Sequence, residues 1–225
     1  MCGRFAITLT KEDFLNYLTR YTDVTVDESI LVLPRYNIAP SENIIAMIEV
    51  NDTYRVGQIK WGFTPSFGQP KQIINARAET ILEKRLFKNS LLSKRCIIFA
   101  DSFYEWKTVN DKKIPYRIML KDQKLFAFAG IWTSQIKDQE TIYSAAIITT
   151  KANQLMTSIH ERMPVILTDD HILEWIKPTF NKDEHLSLLK PYASEKMIAY
   201  EVSAHVNQAT HKDRSCILQK ENTIF

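Results

Sequence analysis

The sequence predicts a single α+β domain whose core is a curled antiparallel β-sheet flanked by short helices. Apolar, strand-like segments follow one another through the middle of the chain, and pairs of polar residues such as Asn110-Asp111 separate them. The segments with a helical spacing of apolar residues are all short. No repeat, low-complexity tract or linker interrupts the 225 residues. We therefore expect one domain over residues 1–225, with a less ordered tail over roughly 208–225.

The order of the predicted elements follows from caps, turns and periodicity. Thr10 followed by Asp13 is typical of a helix N-cap, and Asn51-Asp52 is typical of a hairpin turn. Pro40 closes a mixed segment that favours an irregular loop. The predicted elements are a strand over 4–9, a helix after Thr10, a loop over 22–40, a hairpin over 43–50 and 54–63, a helix through 81–82, a helix near 87–92, strands over 96–100, 103–107, 114–120, 125–133 and 141–150, a short helix over 152–159, a loop over 160–164, a strand over 165–167, helices over 169–176 and 183–189, and a strand over 196–202.

The composition is that of a globular protein and argues against several functional classes. Hydrophobic residues make up 45% and charged residues 24%, and the formal net charge of +3 is too small to indicate nucleic-acid binding by itself. Any anion-binding site must therefore be local. Cys2, Cys96 and Cys216 form no C-x-x-C pair and the histidines show no ligand spacing, so we expect no disulfide framework, no metal and no cofactor.

The N-terminal residues also bear on where the protein resides. Arg4 and the polar residues within 8–13 interrupt the apolar core that a secretory signal needs. Apolar runs stay far below the roughly 18 residues of a membrane span. We therefore expect a cytoplasmic protein with no membrane association.

Cys2 occupies the position that removal of Met1 turns into a free N-terminus. A terminal cysteine is a 1,2-aminothiol, whose amine and thiol both have reactive forms near neutral pH. Such a group captures an aldehyde as a five-membered thiazolidine, and it can also act as a nucleophile assisted by its own amine. The alternative is that Cys2 is an ordinary flexible or buried terminal residue, because chain ends are usually disordered.

Glu105 and His160 are the candidate proton-transfer groups. Glu105 lies between Tyr104 and Trp106, and an apolar setting would raise the pKa of its carboxyl group. Strand alternation equally allows Glu105 to lie on the wet face of a sheet. His160 lies in a loop and has the side chain that most readily moves a proton near pH 7, whereas a solvated surface histidine is the common case.

Three arginines each lie two residues after a candidate reactive residue. If Arg4, Arg77 and Arg162 converge on one site, their guanidinium groups would hold phosphates, and the alternative is that they are scattered over the surface. Trp61 and Phe67 could stack on the bases of a single strand, although core packing is the default for Trp61.

Several short blocks, taken together, resemble one known family. They are Cys2-Gly3-Arg4-Phe5, Tyr36-Asn37-Ile38-Ala39-Pro40, Trp61-Gly62-Phe63, Asn75-Ala76-Arg77-Ala78-Glu79-Thr80, Phe103-Tyr104-Glu105-Trp106, Ala129-Gly130-Ile131-Trp132, Ile148-Thr149-Thr150 and His160-Glu161-Arg162-Met163-Pro164. Each block alone is weak, but their order along nearly the whole chain argues against coincidence. The sequence is similar to the SOS-response-associated peptidase (SRAP) family. This resemblance implies that the curled sheet closes into the barrel-like core of the SRAP fold.

The resemblance also implies a function. It implies a sensor of abasic sites in single-stranded DNA, which shields the lesion during the DNA damage response through a stable thiazolidine crosslink to its N-terminal cysteine. The family's cysteine corresponds to Cys2, its asparagine to Asn75, its glutamate to Glu105 and its histidine to His160. In this scheme Glu105 and His160 move protons while the sugar ring opens and water leaves, and Asn75 orients the amine or thiol of Cys2.

The surface that meets the DNA is likewise implied by the resemblance. Its residues are Arg4, Pro40, Trp61, Phe67, Arg77, Thr149 and Arg162. The arginines would hold phosphates, and Pro40 with the loop after Trp61 would receive flanking bases. Phe67 stands where the family often has a tryptophan and offers a smaller stacking face. The expected partner is single-stranded DNA containing abasic sites, bound by a monomer that is nucleoid-associated when on DNA.

Two other functions stay open. One is an N-terminal-nucleophile cysteine peptidase, the activity in the family's name, with Cys2 as nucleophile and Glu105 or His160 as base. The other is a noncovalent single-strand-binding module with an inert terminus. The sequence also leaves open a lyase side reaction, the preferred DNA context, the reversibility of the crosslink and the removal of Met1.

Overall fold

A computed structural model describes residues 2–64 and 72–220, except for the side chain of Lys137. This part of the chain contains two β-sheets and four short α-helices. The strands are β1 (Phe5–Ile7), β2 (Val24–Val26), β3 (Arg35–Ile38), β4 (Asn43–Val50), β5 (Thr53–Trp61), β6 (Asn75–Arg77), β7 (Arg95–Ala100), β8 (Ser102–Val109), β9 (Lys112–Leu120), β10 (Phe126–Lys137), β11 (Glu140–Lys151), β12 (Arg162–Pro164), β13 (Ile166–Leu167) and β14 (Met197–Glu201). The helices are α1 (Lys11–Leu18), α2 (Arg85–Ser93), α3 (Asp169–Ile176) and α4 (Lys182–Ser187).

Five of the strands close into a barrel. β10 pairs antiparallel with β11 and with β7, β7 pairs with β4, and β4 pairs with β5. The ring closes because β5 and β11 pair in parallel, Lys60 with Ser144 and Trp61 with Ala145. The short strands β6 and β12 pair with the end of β11 on its two sides. The predicted α+β class with a barrel-like core is confirmed, and its closure by a parallel pair is a detail that the sequence did not predict.

The second sheet is antiparallel, with the strand order β14-β9-β8-β1-β3. Only Asp101 separates β7 of the barrel from β8 of this sheet, so one run of chain passes from the barrel into the second sheet. The buried carboxylate of Asp101 accepts hydrogen bonds from the hydroxyl of Ser102 at 2.8 Å and from the backbone N–H of Thr8. Arg117 donates to the same carboxylate at 3.4 Å. Because Thr8 follows β1, these bonds hold β8 against β1.

The core between the two sheets is built around the ring of Phe5 in β1. Phe5 is fully buried and makes edge-to-face contacts with Trp61 of β5 and Phe128 of β10, at centroid distances of 5.1 Å and 5.8 Å. Each such ring contributes about 2 kcal/mol through burial and about 1 kcal/mol through ring geometry. The N-terminal strand is therefore anchored to both sheets, and this anchor places the residues that precede it.

The hairpin turns follow the sequence chemistry. Asn51-Asp52 and Asn110-Asp111 both have positive φ at each residue, as type I′ turns require, and Asn and Asp tolerate this conformation. The turn between β10 and β11 likewise has positive φ at Asp138 and Gln139. These turns fix the register of the long hairpins.

The four helices are short, and α1 and α4 have side-chain N-caps, at Thr10 and Asn181. The Thr10 hydroxyl accepts a hydrogen bond from the backbone N–H of Asp13 at 3.1 Å, so the predicted N-cap of α1 is confirmed. Phe14 and Leu18 form its buried face. Within residues 2–64 and 72–220 no helix combines the length and the apolar character that a bilayer crossing requires.

Four predicted segments differ in the structure. Residues 160–164, expected to be a loop, contain the short strand β12, and in place of the helix expected through residues 81–82 there is a 3₁₀ turn at Ala78–Thr80. Residues 22–40, expected to be an irregular loop, contain the edge strands β2 and β3, which are too short to show a period in the sequence. Residues 152–159, expected to be a helix, contain one 3₁₀ turn at Met156–Ser158. The reason is Asn153, whose side-chain oxygen accepts from the backbone N–H of Met156 at 2.9 Å and whose amide donates to the Tyr192 carbonyl at 2.7 Å.

The C-terminal segment has defined contacts as far as residue 220. The amide of buried Asn37 donates to the carbonyls of Gln208 at 3.1 Å and His211 at 2.8 Å. Further along, Val202 bridges Gln219, and the backbone N–H of Lys220 donates to Glu201 at 2.9 Å. The sequence did not indicate these contacts because they join residues far apart in the chain. Residues 221–225 lie outside the described part.

The packing inside the barrel predicts a sharp contrast between two glycines. A Cβ at Gly130 would lie 2.9 Å from both Cys96 Sγ and Ile98 Cδ1, whereas a Cβ at Gly57 would have no heavy atom within 4 Å. We expect Gly130→Ala to lower the free energy of unfolding by about 1–3 kcal/mol through overpacking, and the control Gly57→Ala to be neutral or stabilising. Urea denaturation of both variants measures the effect. Equal midpoints would contradict the packing described for the barrel interior.

Candidate active site

The four candidate catalytic residues come from both sheets. Cys2 lies just before β1, and Glu105 lies in β8, the neighbour of β1 in the second sheet. Asn75 begins β6, and His160 lies two residues before β12, so both lie in or next to the short strands that flank the end of β11. The candidate site therefore lies where the N-terminal end of β1 meets the edge of the barrel.

A hydrogen bond joins Cys2 to Asn75. The side-chain amide of Asn75 donates to the carbonyl oxygen of Cys2 at 2.8 Å, and Cys2 is fully buried. The contact differs from the expected one, because it fixes the backbone of Cys2 rather than its amine or thiol. The other end of the amide, Oδ1 of Asn75, is buried and has no hydrogen-bond partner among the described residues. It is an acceptor that a nearby N–H group could satisfy.

Burial controls the protonation of both Cys2 and Glu105. Glu105 is 2% exposed, which decides between the two orientations that the sequence left open. Burial raises the pKa of its carboxyl group to about 7, while hydrogen bonding from the Trp106 backbone and the charge of Lys113 act in the opposite direction. Burial also raises the pKa of the Cys2 thiol, and the negative charge of Glu105 raises it further. The thiol is therefore neutral at pH 7, and the carboxyl group exchanges its proton near that pH.

His160 has a defined tautomer. Its Nδ1 atom accepts a hydrogen bond from the backbone N–H of Arg162 at 3.0 Å, so the proton of the neutral ring is on Nε2. Burial lowers the pKa of the imidazole, and the positive charge of Lys113 contributes in the same direction. Because Lys113 lowers the pKa of both His160 and Glu105, the two groups share one electrostatic environment.

The guanidinium of Arg4 is engaged by the protein itself. It donates to Oδ1 of Asn37 at 2.7 Å and to the carbonyls of Val206 at 2.8 Å and Asn207 at 3.4 Å. It also lies over the ring of Trp106 at 5.8 Å. In this arrangement half-buried Arg4 holds the C-terminal segment, and its role as a phosphate contact stays a prediction.

Arg162 is also engaged internally, and Arg77 differs from it. Arg162 is 9% exposed, and its guanidinium makes two hydrogen bonds to the carboxylate of Glu79, at 2.7 Å and 2.9 Å, and one to the Thr149 carbonyl at 2.7 Å. Arg77 is exposed at the end of β6. Of the three arginines, Arg77 is exposed, Arg4 is half-buried and Arg162 is buried, and their joint role as phosphate contacts stays a prediction.

The remaining residues expected at the DNA surface have different environments. The ring of Trp61 is fully buried, and its Nε1 donates to the Ile74 carbonyl at 3.1 Å. Trp61 therefore packs in the core, which was the alternative to base stacking. The side chain of Thr149 is also fully buried. Pro40 is partly exposed in the turn before β4. Phe67 lies outside the described residues.

Sequence reasoning missed Glu79 and Asn37 as members of the site region. Glu79 binds Arg162, and Asn37 binds Arg4 together with the C-terminal segment. Both lie inside blocks that carry the family resemblance, so membership of those blocks was the available signal. Across residues 2–64 and 72–220 no three His, Cys, Asp or Glu side chains are grouped so that they could bind a metal ion.

The sequence matches a known family along most of its length. The model of the SOS response associated peptidase (SRAP) family matches residues 1–209. The chain is 45% identical to the abasic site processing protein YoqW of Bacillus subtilis, covering 92% of this chain and 94% of that protein. It is 31% identical to the abasic site processing protein YedK of Escherichia coli, covering 82% of this chain and 83% of that protein.

The fold is also found among solved structures. A crystal structure of a protein from Bacteroides thetaiotaomicron superposes with a TM-score of 0.86 at 28% identity, covering 98% of this chain and 100% of that chain. The likeness therefore extends over both sheets and includes the elements that carry Cys2, Asn75, Glu105 and His160.

The raised pKa of Glu105 predicts a pH-dependent stability. The pKa rises from 4.5 to about 7 on folding, so between these values the folded state binds more protons than the unfolded chain. Stability therefore falls as the pH rises through this window. Glu105→Gln removes the titration, so the variant should lose about 2–3 kcal/mol less than the wild type between pH 4.5 and pH 8.

Urea denaturation at pH 4.5 and pH 8 measures this difference. Glu140→Gln, which neutralises an exposed carboxylate at the start of β11, is the matched control and should follow the wild type. A Glu105→Gln variant with the same pH dependence as the wild type would show that the carboxyl group titrates normally.

Proposed function

Because the chain belongs to the SOS response associated peptidase (SRAP) family, we propose that it captures abasic sites in single-stranded DNA as a covalent crosslink to Cys2. Relatives that match over most of their length are named abasic site processing proteins. The observation that carries the proposal is the placement of Cys2. Its carbonyl is held by Asn75 at 2.8 Å, and its thiol lies within the electrostatic influence of the buried Glu105. A terminal aminothiol is thereby held beside a group that exchanges protons at neutral pH.

The proposed reaction begins with removal of Met1, which frees the amine of Cys2. The amine adds to the C1′ aldehyde of the ring-opened abasic sugar and gives a carbinolamine. The carbinolamine hydroxyl takes up a proton and leaves as water, which produces an imine. The sulfur of Cys2 then bonds to the same carbon while the thiol proton passes to the nitrogen. The products are one thiazolidine and one molecule of water.

The neighbouring side chains have distinct roles in this scheme. Glu105, whose pKa is about 7, supplies the proton that the leaving hydroxyl requires and then recovers a proton from the site. Oδ1 of Asn75 accepts a hydrogen bond from the new amine of Cys2, and its Nδ2 keeps the Cys2 carbonyl in place. His160 presents an Nε2–H to the sugar oxygen as the ring opens.

The state of the Cys2 thiol favours crosslinking over peptide hydrolysis. Burial raises the pKa of the thiol, whereas cysteine nucleophiles of peptidases have a lowered pKa that keeps them as thiolates. Closure of a five-membered ring depends less on a preformed thiolate, because the sulfur and the imine carbon are already in one molecule. A protonated thiol beside a proton acceptor is sufficient for that step.

The burial of Cys2 also favours a single-stranded partner. A sugar in a stacked duplex must first be extruded, at the cost of unstacking and unpairing, to reach a fully buried residue, while a flexible single strand can insert one nucleotide without that cost. Exposed basic residues around the site, Arg77, Lys113 and Lys151, would contact the phosphates of such a strand. This charge is local, in agreement with a net charge of only +3.

The proposal predicts a covalent adduct. Protein lacking Met1, verified by intact mass, is incubated with a single-stranded oligonucleotide that contains one abasic site. A band that survives denaturing electrophoresis should form with the wild type and be absent with Cys2→Ala. The control Cys96→Ala, which removes another buried thiol, should crosslink as the wild type does. Glu105→Gln should slow the reaction by about 100-fold.

Cys2→Ser separates the two halves of the chemistry. It retains the amine, so it should give a band only when the imine is trapped with borohydride, because serine does not close the sulfur ring. Absence of any wild-type band despite strand binding would leave a noncovalent binding module as the function. Cleavage of a peptide that depends on Cys2, without a crosslink, would establish the peptidase instead, and cleavage of the oligonucleotide at the abasic site would reveal a lyase.

A further inference from the structure

The ion pair between Glu79 and Arg162 joins the two short strands on either side of β11. Glu79 lies in the 3₁₀ turn Ala78–Thr80 directly after β6, and Arg162 is the first residue of β12. The two guanidinium–carboxylate hydrogen bonds of 2.7 Å and 2.9 Å have the bidentate geometry that fixes orientation as well as distance. A third bond from Arg162, to the Thr149 carbonyl at 2.7 Å, ties the pair to β11 itself.

The backbone of Arg162 in turn controls His160. Its N–H group is the donor to Nδ1 of the imidazole, at 3.0 Å. The short loop before it is held at both ends, because the backbone N–H of His160 donates to Met156 at 2.8 Å and that of Ala152 donates to Glu161 at 3.0 Å. With the loop held in this way, the position of the Arg162 backbone decides whether Nδ1 has its donor, and so on which nitrogen the ring carries its proton.

The pair is stable in its present geometry. Hydrogen bonding to Arg162 holds the pKa of Glu79 below its usual range, and the charge of Lys151 contributes in the same direction, so Glu79 is ionised at neutral pH. Arg162 is 9% exposed, and loss of its carboxylate would leave a guanidinium without its main counter-charge in a poorly solvated place. The guanidinium would then reorient, and because Arg162 is the first residue of β12, which pairs with β11 over only three residues, its backbone would shift with the side chain.

We propose that Glu79 is a positioning residue that acts through Arg162 to keep His160 in its Nε2–H tautomer, a role that rests on the proposed crosslinking function. Glu79 contacts Arg162 and does not touch the reacting atoms in this scheme. The contact also gives Arg162 a role inside the protein, because Glu79 accepts from two of its five donors and the Thr149 carbonyl from a third.

The test compares Glu79→Gln with Glu79→Asp and with the control Glu83→Gln, which removes an exposed carboxylate four residues later. Two quantities are measured: the ¹⁵N chemical shifts of His160, which report its tautomer without DNA, and the single-turnover rate of crosslinking. Glu79→Gln should lose the pure Nε2–H signature and crosslink about 10-fold more slowly. Glu79→Asp should recover part of both, and Glu83→Gln should match the wild type.

Three results would contradict the proposals, and each has a different meaning. If Glu79→Gln keeps the wild-type tautomer, Glu79 has no positioning role, whatever its rate. If it binds an undamaged single strand more tightly and crosslinks faster, Glu79 instead masks Arg162 from phosphates, and the proposal is overturned. A wild-type protein that does not crosslink at all would refute the proposed function, while the tautomer measurement would still decide whether Glu79 controls His160.

Discussion

The packing of β1 between the two sheets is the constraint on which the candidate site depends. Phe5 contacts Trp61 and Phe128 of the barrel, and β1 pairs with β8 of the second sheet. An N-terminal residue is normally mobile, and its reactive groups would lose much of their advantage if they sampled many positions. Here the core anchors the strand three residues after Cys2, and the hydrogen bond from Asn75 holds the Cys2 carbonyl itself. Asn75 and Glu105 can then be placed against it by ordinary strand pairing.

Burial has two opposed effects at this site. It raises the pKa of Glu105 into the neutral range, which proton transfer requires, and it also disfavours the thiolate of Cys2. A charged carboxylate in this place costs stability, and the surrounding core offsets that cost. The two pKa shifts suit the proposed reaction, in which the amine and then the thiol bond to the same carbon. Such a reaction needs a proton donor in its first step and a sulfur nucleophile only in its last. A cysteine peptidase would instead need a lowered pKa at its cysteine, so that the thiolate is favoured.

The sequence predicted most of what depends on local chemistry and less of what depends on distant contacts. The turn at Asn51-Asp52 and the cap at Thr10 follow from neighbouring residues, and both are confirmed. The burial of Glu105 did not follow, since alternation fits either face of a strand and the covering layer comes from elsewhere in the chain. The internal roles of Arg4 and Arg162 were missed for the same reason. Their partners are 202 residues away at Val206 and 83 residues away at Glu79.

Three buried or half-buried arginines, Arg4, Arg95 and Arg162, serve as backbone clamps in the described part of this fold. Arg95 donates to the carbonyls of Leu91, Leu92 and Trp175 at 2.7–2.8 Å, where two helices end. Arg4 and Arg162 make comparable bonds to carbonyls of irregular or edge segments. A guanidinium suits this task because its five donors lie in one plane and satisfy carbonyls that no strand or helix can pair. A guanidinium used in this way has fewer donors left for a phosphate. A phosphate contact is therefore to be sought at exposed Arg77, because a motif arginine beside a reactive residue can be part of the scaffold that holds it.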